Sequence, residues 1–332
     1  MISCAKNCHF LMLLGLNTVA RKMTYALPQL LMNFFHKSSC IPSKLFINQF
    51  VPKHKPPSQK DVNALEEFIL NSKKLMVLTG AGVSTESGIP DYRSAEVGMY
   101  ARTNHKPIQN SDFHKYATVR QRYWARNFVG WFRFSKMQPN LVHFYLSDLE
   151  SRGKVHSLVT QNVDGLHLKA GSRNVIELHG TGYRVLCLDC NASYDRDYIQ
   201  DTLMDNNIID FEQTSRMIRP DGDVDIPQEF IMNFSVPTCE CCGGILKPDI
   251  TFFGDNIPKH RVELIRTIVS SSDCILVLGS SLSVFSGFRI ILQALEEKKD
   301  VCLVNIGPTR ADKLIQFKIE AKCGDIFLKL KI

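Results

Sequence analysis

Five short apolar runs recur along this chain, and each ends at a small or polar residue. Stretches of helical character, such as 261–269 and 288–295, separate several of the runs. Apolar strands that alternate with helices predict a parallel sheet covered on both faces, whose ligands bind beyond the carboxyl ends of the strands. The runs are Leu75–Leu78 before TGAG, Val155–Val159 before TQNVDG, Val175–Leu178 before HG, Cys274–Leu278 before GSS and Val301–Val304 before NIGP. We therefore expect all five ends at one edge of the sheet.

The glycine-rich stretch TGAGVSTESGIPDYRS, residues 79–94, leaves the first of these strands. Gly80 and Gly82 fit the first part of a dinucleotide-binding G-x-G-x-x-G, but Thr85 stands where the third glycine belongs. The acidic residue expected about 20 residues later is also absent, since the sequence there is Arg102-Thr-Asn. A standard dehydrogenase is therefore disfavoured. Glycines still let a backbone approach a pyrophosphate, so this loop alone allows phosphate binding or a plain turn.

Polar side chains follow the other strands of the predicted sheet. Gln161, Asn162 and Asp164 offer amide and carboxylate groups suited to ribose hydroxyls or a carboxamide. Residues 280–281 add two serine hydroxyls, and Asn305 adds an amide. Several such ends on one sheet edge predict a polar cofactor with hydroxyl and phosphate groups.

His179 is the candidate general base. An imidazole titrates near neutrality and can accept a proton from an activated hydroxyl. A lone histidine is often structural, but His179 follows a strand and precedes Gly180 on the predicted binding edge. This position favours a catalytic role.

Five of the eleven cysteines lie in two tight clusters. Two C-x2-C pairs predict a closed structural Zn²⁺ site of four thiolates in a reducing compartment. Free buried cysteines are the alternative, because the 48 residues between the pairs exceed the usual gap. Cys241 is spare, and its role stays open. The polar segment 187–246 predicts a small inserted module. The pairs are Cys187-x2-Cys190 and Cys239-x2-Cys242.

The basic residues of the chain are unevenly distributed. Residues 1–60 hold eight lysines and arginines and no acidic residue, whereas the remainder holds 32 basic and 33 acidic residues. A nearly neutral body disfavours nucleic-acid binding. The acid-free N-terminus predicts a mitochondrial presequence, with a disordered tail and a secretory signal as alternatives. We expect a presequence and linker over 1–56, a catalytic domain over 57–332 and location in the mitochondrial matrix.

Together these stretches resemble the sirtuins. The matching segments occur in family order over about 57–330. They are GAGVSTESGIPDYRS, TQNVDGLH, ELHG, the two cysteine pairs, LKPDITFFGD, GSSLSVFS, VNIGPT and CGD. PDYRSAEVGMYART, PDGDV and GSSLSVFSGFR are similar to the sirtuin-4 type of the class II mitochondrial sirtuins.

The resemblance implies a doubly wound parallel-sheet NAD-binding domain with a small inserted structural-zinc module. It implies that His179, Asn162 and Asp164 are catalytic. The zinc ligands that it implies are Cys187, Cys190, Cys239 and Cys242. The NAD-binding residues that it implies are Gly80, Ala81, Gly82, Ser84, Glu86, Ile89, Pro90, Asp91, Tyr92, Arg93, Tyr100, Gln161, Asn162, Val163, Asp164, Gly279, Ser280, Ser281, Asn305, Ile306, Gly307 and Cys323.

The implied reaction is NAD-dependent deacylation of lysine, which yields nicotinamide, free lysine and 2′-O-acyl-ADP-ribose. Lipoyl, biotinyl and branched acyl groups are expected as substrates rather than acetyl, on peptides that bind as a strand between 252–255 and 279–284. A protein mono-ADP-ribosyltransferase using the same NAD site and a non-catalytic NAD-binding regulator are the alternatives. The implied partners are acylated or ADP-ribosylated mitochondrial proteins, with no nucleic acid, no stable membrane insertion and a monomeric enzyme.

The chain departs from the family pattern in two places. Ser286 stands where many sirtuins have a proline, so that part of the acyl tunnel is expected to differ. Sirtuins that remove short diacid groups typically have a Tyr-x-x-Arg pair. We expect this pair to be missing here, because the sequence after the glycine-rich stretch has Tyr100-x-Arg102 instead. Efficient removal of such groups is therefore not expected.

Overall fold

The computed structural model describes residues 49–102, 107–208 and 219–332. Most of the predicted presequence lies outside these residues. Helices and strands are numbered here in chain order within the described ranges. No helix of the described part is both long and apolar enough to cross a bilayer.

The first helix, α1 (Gln59–Asn71), begins directly after Ser58. The Ser58 side chain accepts a hydrogen bond from the Asp61 backbone nitrogen, and the Asp61 carboxylate accepts one from the Ser58 nitrogen. This reciprocal capping box satisfies two backbone donors that a helix start otherwise leaves open. Val62, Leu65 and Ile69 form the buried stripe of the helix.

Six parallel strands form the central sheet, in the order β3-β2-β1-β7-β8-β9. All five predicted apolar runs lie in it, so the predicted parallel sheet is confirmed. Thr79, Leu278 and Val304 are register partners, so three neighbouring strands end at the same level. The strands are β1 (Leu75–Thr79), β2 (Val155–Thr160), β3 (Val175–Glu177), β7 (Cys274–Leu278), β8 (Asp300–Val304) and β9 (Phe317–Ile319).

Helices cover both faces of this sheet, as a doubly wound fold requires. On one face, Leu65 of α1 packs in a cluster with Leu146 and Ile326. On the other, Val269 and Ile291 pack against β7 and β8. The helices behind these clusters are α5 (Leu141–Ser151), α9 (Lys259–Ser271), α10 (Phe285–Glu296) and α11 (Cys323–Phe327).

A second, antiparallel sheet of three strands lies in the order β5-β4-β6. It spans 180–250, so it begins before and ends after the predicted module 187–246. Trp124, Phe128 and Trp131 of α4 pack in the core cluster that includes residues of this sheet. The elements are α3 (Asn110–Lys115), α4 (Ala117–Phe134), β4 (Gly180–Cys187), β5 (Ser193–Asp195), α7 (Arg196–Asn206), α8 (Gln228–Met232) and β6 (Leu246–Ile250). Two short helices, α2 (Met99–Arg102) and α6 (Leu166–Lys169), and a 3₁₀ helix over Ala81–Ser87 complete the fold.

An ionic cluster holds the segment 219–225 against α4. Arg126 pairs with Asp223 at 2.9 Å and with Asp225 at 2.7 Å. Arg219 pairs with the same two carboxylates at 2.6 and 2.7 Å. The Cβ that a side chain would add at Gly130 lies 1.8 Å from the Gly222 carbonyl oxygen, so only glycine fits this crossing.

Candidate active site

A cavity of about 920 Å³ opens at the carboxyl edge of the central sheet. Residues that follow five strands line it, which confirms the prediction that these strand ends share one edge. Most of the predicted cofactor-binding residues and the predicted base lie around this one space. They are Gly80, Ala81, Gly82, Ser84, Ile89, Asp91, Tyr92, Arg93, Gln161, Asn162, Val163, Asp164, His179, Gly279, Ser280, Ser281, Asn305, Ile306 and Gly307.

Three glycines let the loop after β1 pack directly on the loop after β7. The Gly82 nitrogen donates to the Gly279 carbonyl oxygen over 2.9 Å. A Cβ at Gly80 or Gly82 would lie 2.8 Å from that same oxygen. Gly279 has a φ of +56°, and its own Cβ would lie 2.5 Å from the Val83 nitrogen. The glycines are therefore needed for contact between the two loops, and this contact fixes where the loop backbone lies beside the cavity.

A buried polar network connects the 3₁₀ helix with the segment after β2. The Ser84 hydroxyl donates to an Asp164 carboxylate oxygen over 2.7 Å and accepts from the Asn162 amide over 3.1 Å. Asp164 also accepts a hydrogen bond from the Leu166 nitrogen at 3.0 Å. Burial raises the pKa of Asp164, whereas these hydrogen bonds lower it. The network fixes the three side chains beside the cavity.

His179 is held between two fixed partners. Its Nδ1 lies 2.8 Å from the Gln161 carbonyl oxygen, and its Nε2 lies 2.7 Å from the Ser286 hydroxyl. A carbonyl oxygen can only accept, so Nδ1 carries the proton and Nε2 keeps its lone pair. Burial lowers the pKa of His179, with a smaller upward contribution from the Gln161 carbonyl. The imidazole is therefore neutral near pH 7 and can accept a proton at Nε2.

Four of the predicted NAD-binding residues do not line this cavity. Glu86 accepts a hydrogen bond from the Gly324 nitrogen at 2.9 Å, which ties the 3₁₀ helix to α11. The Tyr100 ring lies 5.9 Å from the ring of Tyr92, between centroids. Cys323 lines a smaller adjacent cavity. The four are Glu86, Pro90, Tyr100 and Cys323.

The sequence prediction that the Tyr-x-x-Arg pair is missing is wrong. Tyr123 and Arg126 of α4 have this spacing, 20 residues beyond the segment in which it was sought. Tyr123 lines the cavity, and its buried hydroxyl has no hydrogen-bond partner among the described residues. Arg126 is not among the described residues that line the cavity, because Asp223 and Asp225 hold its guanidinium.

The sequence did not predict an apolar wall of the cavity, although two of its residues lie in the quoted segment LKPDITFFGD. Ile108, Ile250 and Phe252 line it together with Tyr123, and all four belong to or pack against the aromatic core around α4. These positions are distant in sequence and come together only when the two sheets are in place. Asp221 lines the cavity as well, and burial raises its pKa to about 7.

The four predicted zinc ligands form one cluster. Their sulfur atoms all lie within 4.8 Å of one another, with 3.5 Å between Cys187 and Cys242 and 3.6 Å between Cys190 and Cys239. Thiolates around a tetrahedral Zn²⁺ at about 2.3 Å lie about 3.8 Å apart, so this donor set fits zinc. The spare thiol, Cys241, is outside the set. All four positions are thiols, which is typical of a closed structural site.

Comparison with known proteins gives a consistent result. The model of the Sir2 family matches residues 80–286. A Drosophila melanogaster protein named NAD-dependent protein deacylase Sirt4 is 54% identical over 294 residues, which cover 89% of this chain and 94% of the relative. A human protein named NAD-dependent protein lipoamidase sirtuin-4, mitochondrial, is 51% identical over 284 residues, which cover 86% of this chain and 90% of the relative.

Solved structures agree with the sequence comparison. A Sir2 protein bound to an acetylated peptide superposes with a TM-score of 0.63 at 26% identity, over 80% of this chain and 95% of the other. A Sir2 protein bound to a propionylated peptide gives a TM-score of 0.62 at the same identity and coverage.

Proposed function

This chain belongs to the Sir2 family, and on that premise we propose that it is an NAD-dependent protein deacylase with His179 as its general base. The observation that carries the proposal is the state of His179. Its Nδ1–H is fixed on the Gln161 carbonyl, and the lone pair of Nε2 is directed at a hydroxyl 2.7 Å away. The imidazole is thus ready to receive a proton from a substrate hydroxyl placed in the cavity.

NAD fits the residues around the cavity, and when bound there it would supply an electrophilic ribose carbon and nicotinamide as leaving group. The glycine loops would present backbone nitrogens to the pyrophosphate. Asn162 and Asp164 would orient the nicotinamide ribose and its carboxamide from the network with Ser84. His179 would then take a proton from a ribose hydroxyl at Nε2, while the Gln161 carbonyl stabilises the charge that develops at Nδ1.

The acyl group would occupy the apolar wall formed by Ile108, Tyr123, Ile250 and Phe252. We propose lipoyl, biotinyl and branched chains as substrates, since such chains cover more apolar surface than an acetyl group does. The Tyr123 hydroxyl, which has no partner among the described residues, would form a hydrogen bond with a polar atom of the acyl group. Short diacid groups are disfavoured because Arg126 is already neutralised by two carboxylates. The peptide would lie between 252–255 and 279–284, segments that both line the cavity.

Zn²⁺ in the four-cysteine cluster would have a structural role. The cluster connects the turn after β4 to the turn before β6, and the Leu188 nitrogen donates to the Ile245 carbonyl across them. Ile250 and Phe252 of the cavity wall lie at the end of β6 and just beyond it. The metal would therefore fix the small sheet on which the acyl side of the cavity depends.

The bovine and human relatives are named as mitochondrial. We propose that this chain acts in the mitochondrial matrix, on acylated proteins there, and that its acid-free N-terminus directs import. Import of the full chain into isolated mitochondria, followed by protease treatment with and without matrix lysis, would test this. Degradation before lysis would contradict matrix location.

The deacylase proposal is tested with the full chain, the variant His179→Ala and the control His156→Ala, which changes an exposed histidine of β2. Each protein is incubated with NAD and peptides carrying lipoyl-, biotinyl- or acetyl-lysine. Nicotinamide release and peptide mass are measured. Acyl loss that needs NAD and His179 but not His156 is the expected result.

Two outcomes would contradict the deacylase. Added ADP-ribose on a protein without acyl loss would establish the transferase alternative, which would use the same cavity. No turnover of NAD with any peptide or with mitochondrial extract would leave the non-catalytic regulator.

A further inference from the structure

The segment 50–54, here called the N-terminal strap, packs on the folded domain although its sequence resembles a linker. Phe50 is only 7% exposed, and the Arg102 guanidinium lies 5.3 Å from the centre of its ring. The Lys53 ammonium pairs with Glu96 at 3.5 Å. Both partners belong to the segment 91–102, which begins with the cavity-lining residues Asp91, Tyr92 and Arg93. The Lys53–Glu96 pair is exposed, so the buried Phe50 under Arg102 is the main contact of the strap with that segment.

The other end of the strap is fixed near the C-terminus. His54 Nε2 lies 2.9 Å from an Asp325 carboxylate oxygen, and Lys322 pairs with the same carboxylate at 2.8 Å. Lys322 also pairs with Glu86 of the 3₁₀ helix at 3.4 Å. The strap thus connects three parts of the chain that surround the nucleotide side of the cavity.

Two strap residues form part of the cavity wall. Pro52 and Lys53 line the main cavity together with the strand-end residues 305–307. Pro52 also lines the smaller adjacent cavity with Asn305 and Cys323. The strap therefore lies where the adenosine diphosphate part of NAD would leave the sheet edge. The Lys53 ammonium lies at this opening, and its 3.5 Å pair with Glu96 is so exposed that solvent screens it and a phosphate can compete for the ammonium.

We propose that the N-terminal strap is a part of the NAD site, closing its adenosine diphosphate end and positioning the segment 91–102. This inference rests on the proposed function, but it concerns binding of the nucleotide and not acyl transfer. The strap lies before the match to the Sir2 family model, which begins at residue 80. It follows that removal of a presequence must leave Phe50 in place for full NAD affinity.

The test uses the full chain and the single variants Phe50→Ala, Lys53→Ala and Lys55→Ala. Lys55 is the matched control, because it is an exposed lysine in the same stretch that does not line the cavity. The affinity for ADP-ribose is measured by titration calorimetry, and the KM for NAD by nicotinamide release. Thermal unfolding identifies any variant that has lost its fold.

Lys53→Ala is expected to weaken ADP-ribose binding about fivefold, as the loss of one exposed charge contact does. Phe50→Ala is expected to weaken it about tenfold, because the strap loses its buried anchor. Lys55→Ala is expected to change it less than about twofold. Equal ADP-ribose affinity in wild type, Phe50→Ala and Lys53→Ala would overturn the proposal. A wild type that binds ADP-ribose but removes no acyl group would contradict the deacylase alone.

Discussion

Replacement of Gly279 by alanine tests how the two glycine loops support the site. The new Cβ would lie 2.5 Å from the Val83 nitrogen, whereas ordinary contacts begin at 3.4 Å. The loops must therefore separate by about 0.9 Å. Ser84 follows on the displaced loop, and its hydrogen bonds of 2.7 and 3.1 Å to Asp164 and Asn162 would stretch to lengths at which little attraction remains.

Gly153→Ala provides a matched control for backbone strain. Gly153 has a φ of +73°, close to the +56° of Gly279, but no heavy atom lies within 4 Å of the position that a Cβ would take there. A left-handed alanine costs about 1–2 kcal/mol at either site. Overpacking adds about 1–3 kcal/mol at Gly279 alone. The free energies of unfolding of the two variants, measured with denaturant, should therefore differ by about 1–3 kcal/mol.

The functional difference should be larger than the difference in stability. A displacement of about 1 Å in a positioning group can reduce catalysis by about 10²-fold, so Gly279→Ala should lower kcat/KM for NAD by about that factor. Gly153→Ala should leave kcat/KM unchanged. The assay is nicotinamide release at about 25 °C, where both variants are still folded. Equal kcat/KM for the two variants would refute the argument that loop contact positions Ser84.

Three other predictions concern the base, the metal cluster and the ionic cluster. His179→Ala should lower kcat about 10²–10⁴-fold. In wild type the acid limb of the pH profile of kcat/KM should have its midpoint below pH 6.5, because burial lowers the pKa of His179. A midpoint above pH 6.5 would contradict this. Cys190→Ser should remove zinc, measured by atomic absorption, and should lower the melting temperature. The control Cys241→Ser should keep one zinc per chain, because Cys241 is outside the cluster. Zinc retained in Cys190→Ser would disprove the four-thiolate site. Asp223→Asn should destabilise the fold by about 3 kcal/mol in urea unfolding, because the Asp223 carboxylate is itself buried, with a side chain 4% exposed, and its loss leaves the buried Arg219 short of a partner. Asp225→Asn should cost no more than about 1 kcal/mol, because Asp225 pairs with the same two arginines but is 58% exposed; equal losses would refute the burial argument.

The central sheet could be predicted from sequence because its strands are buried on both faces. Leu75–Thr79 and Cys274–Leu278 are buried throughout, so they need almost continuous apolar residues, which are visible in one pass. The polar residues that follow such strands meet at one edge by topology alone. Gly80, Asn162, His179 and the strand-end residues of β7 were therefore predictable as neighbours.

The small sheet could not be predicted in the same way. Gly180–Cys187 mixes glycines, a tyrosine and an arginine, since this strand is only partly buried and includes a glycine with a φ of +85°. Tyr123 and Ile250 meet on the cavity wall only through the packing of α4 on this sheet, a long-range contact without a local pattern. The strap was missed because prolines and lysines favour a linker, while its anchor is the single residue Phe50.

The hydrogen bond between Ser286 and the general base His179 affects how the protein behaves when no substrate is bound. A neutral imidazole with an open lone pair could activate any water that enters the cavity, and the nucleotide would then be hydrolysed without useful product. The Ser286 hydroxyl occupies that lone pair at 2.7 Å, so a substrate hydroxyl must displace it before His179 can accept a proton. This hydrogen bond is therefore expected to limit hydrolysis of NAD by water while no acyl substrate is bound.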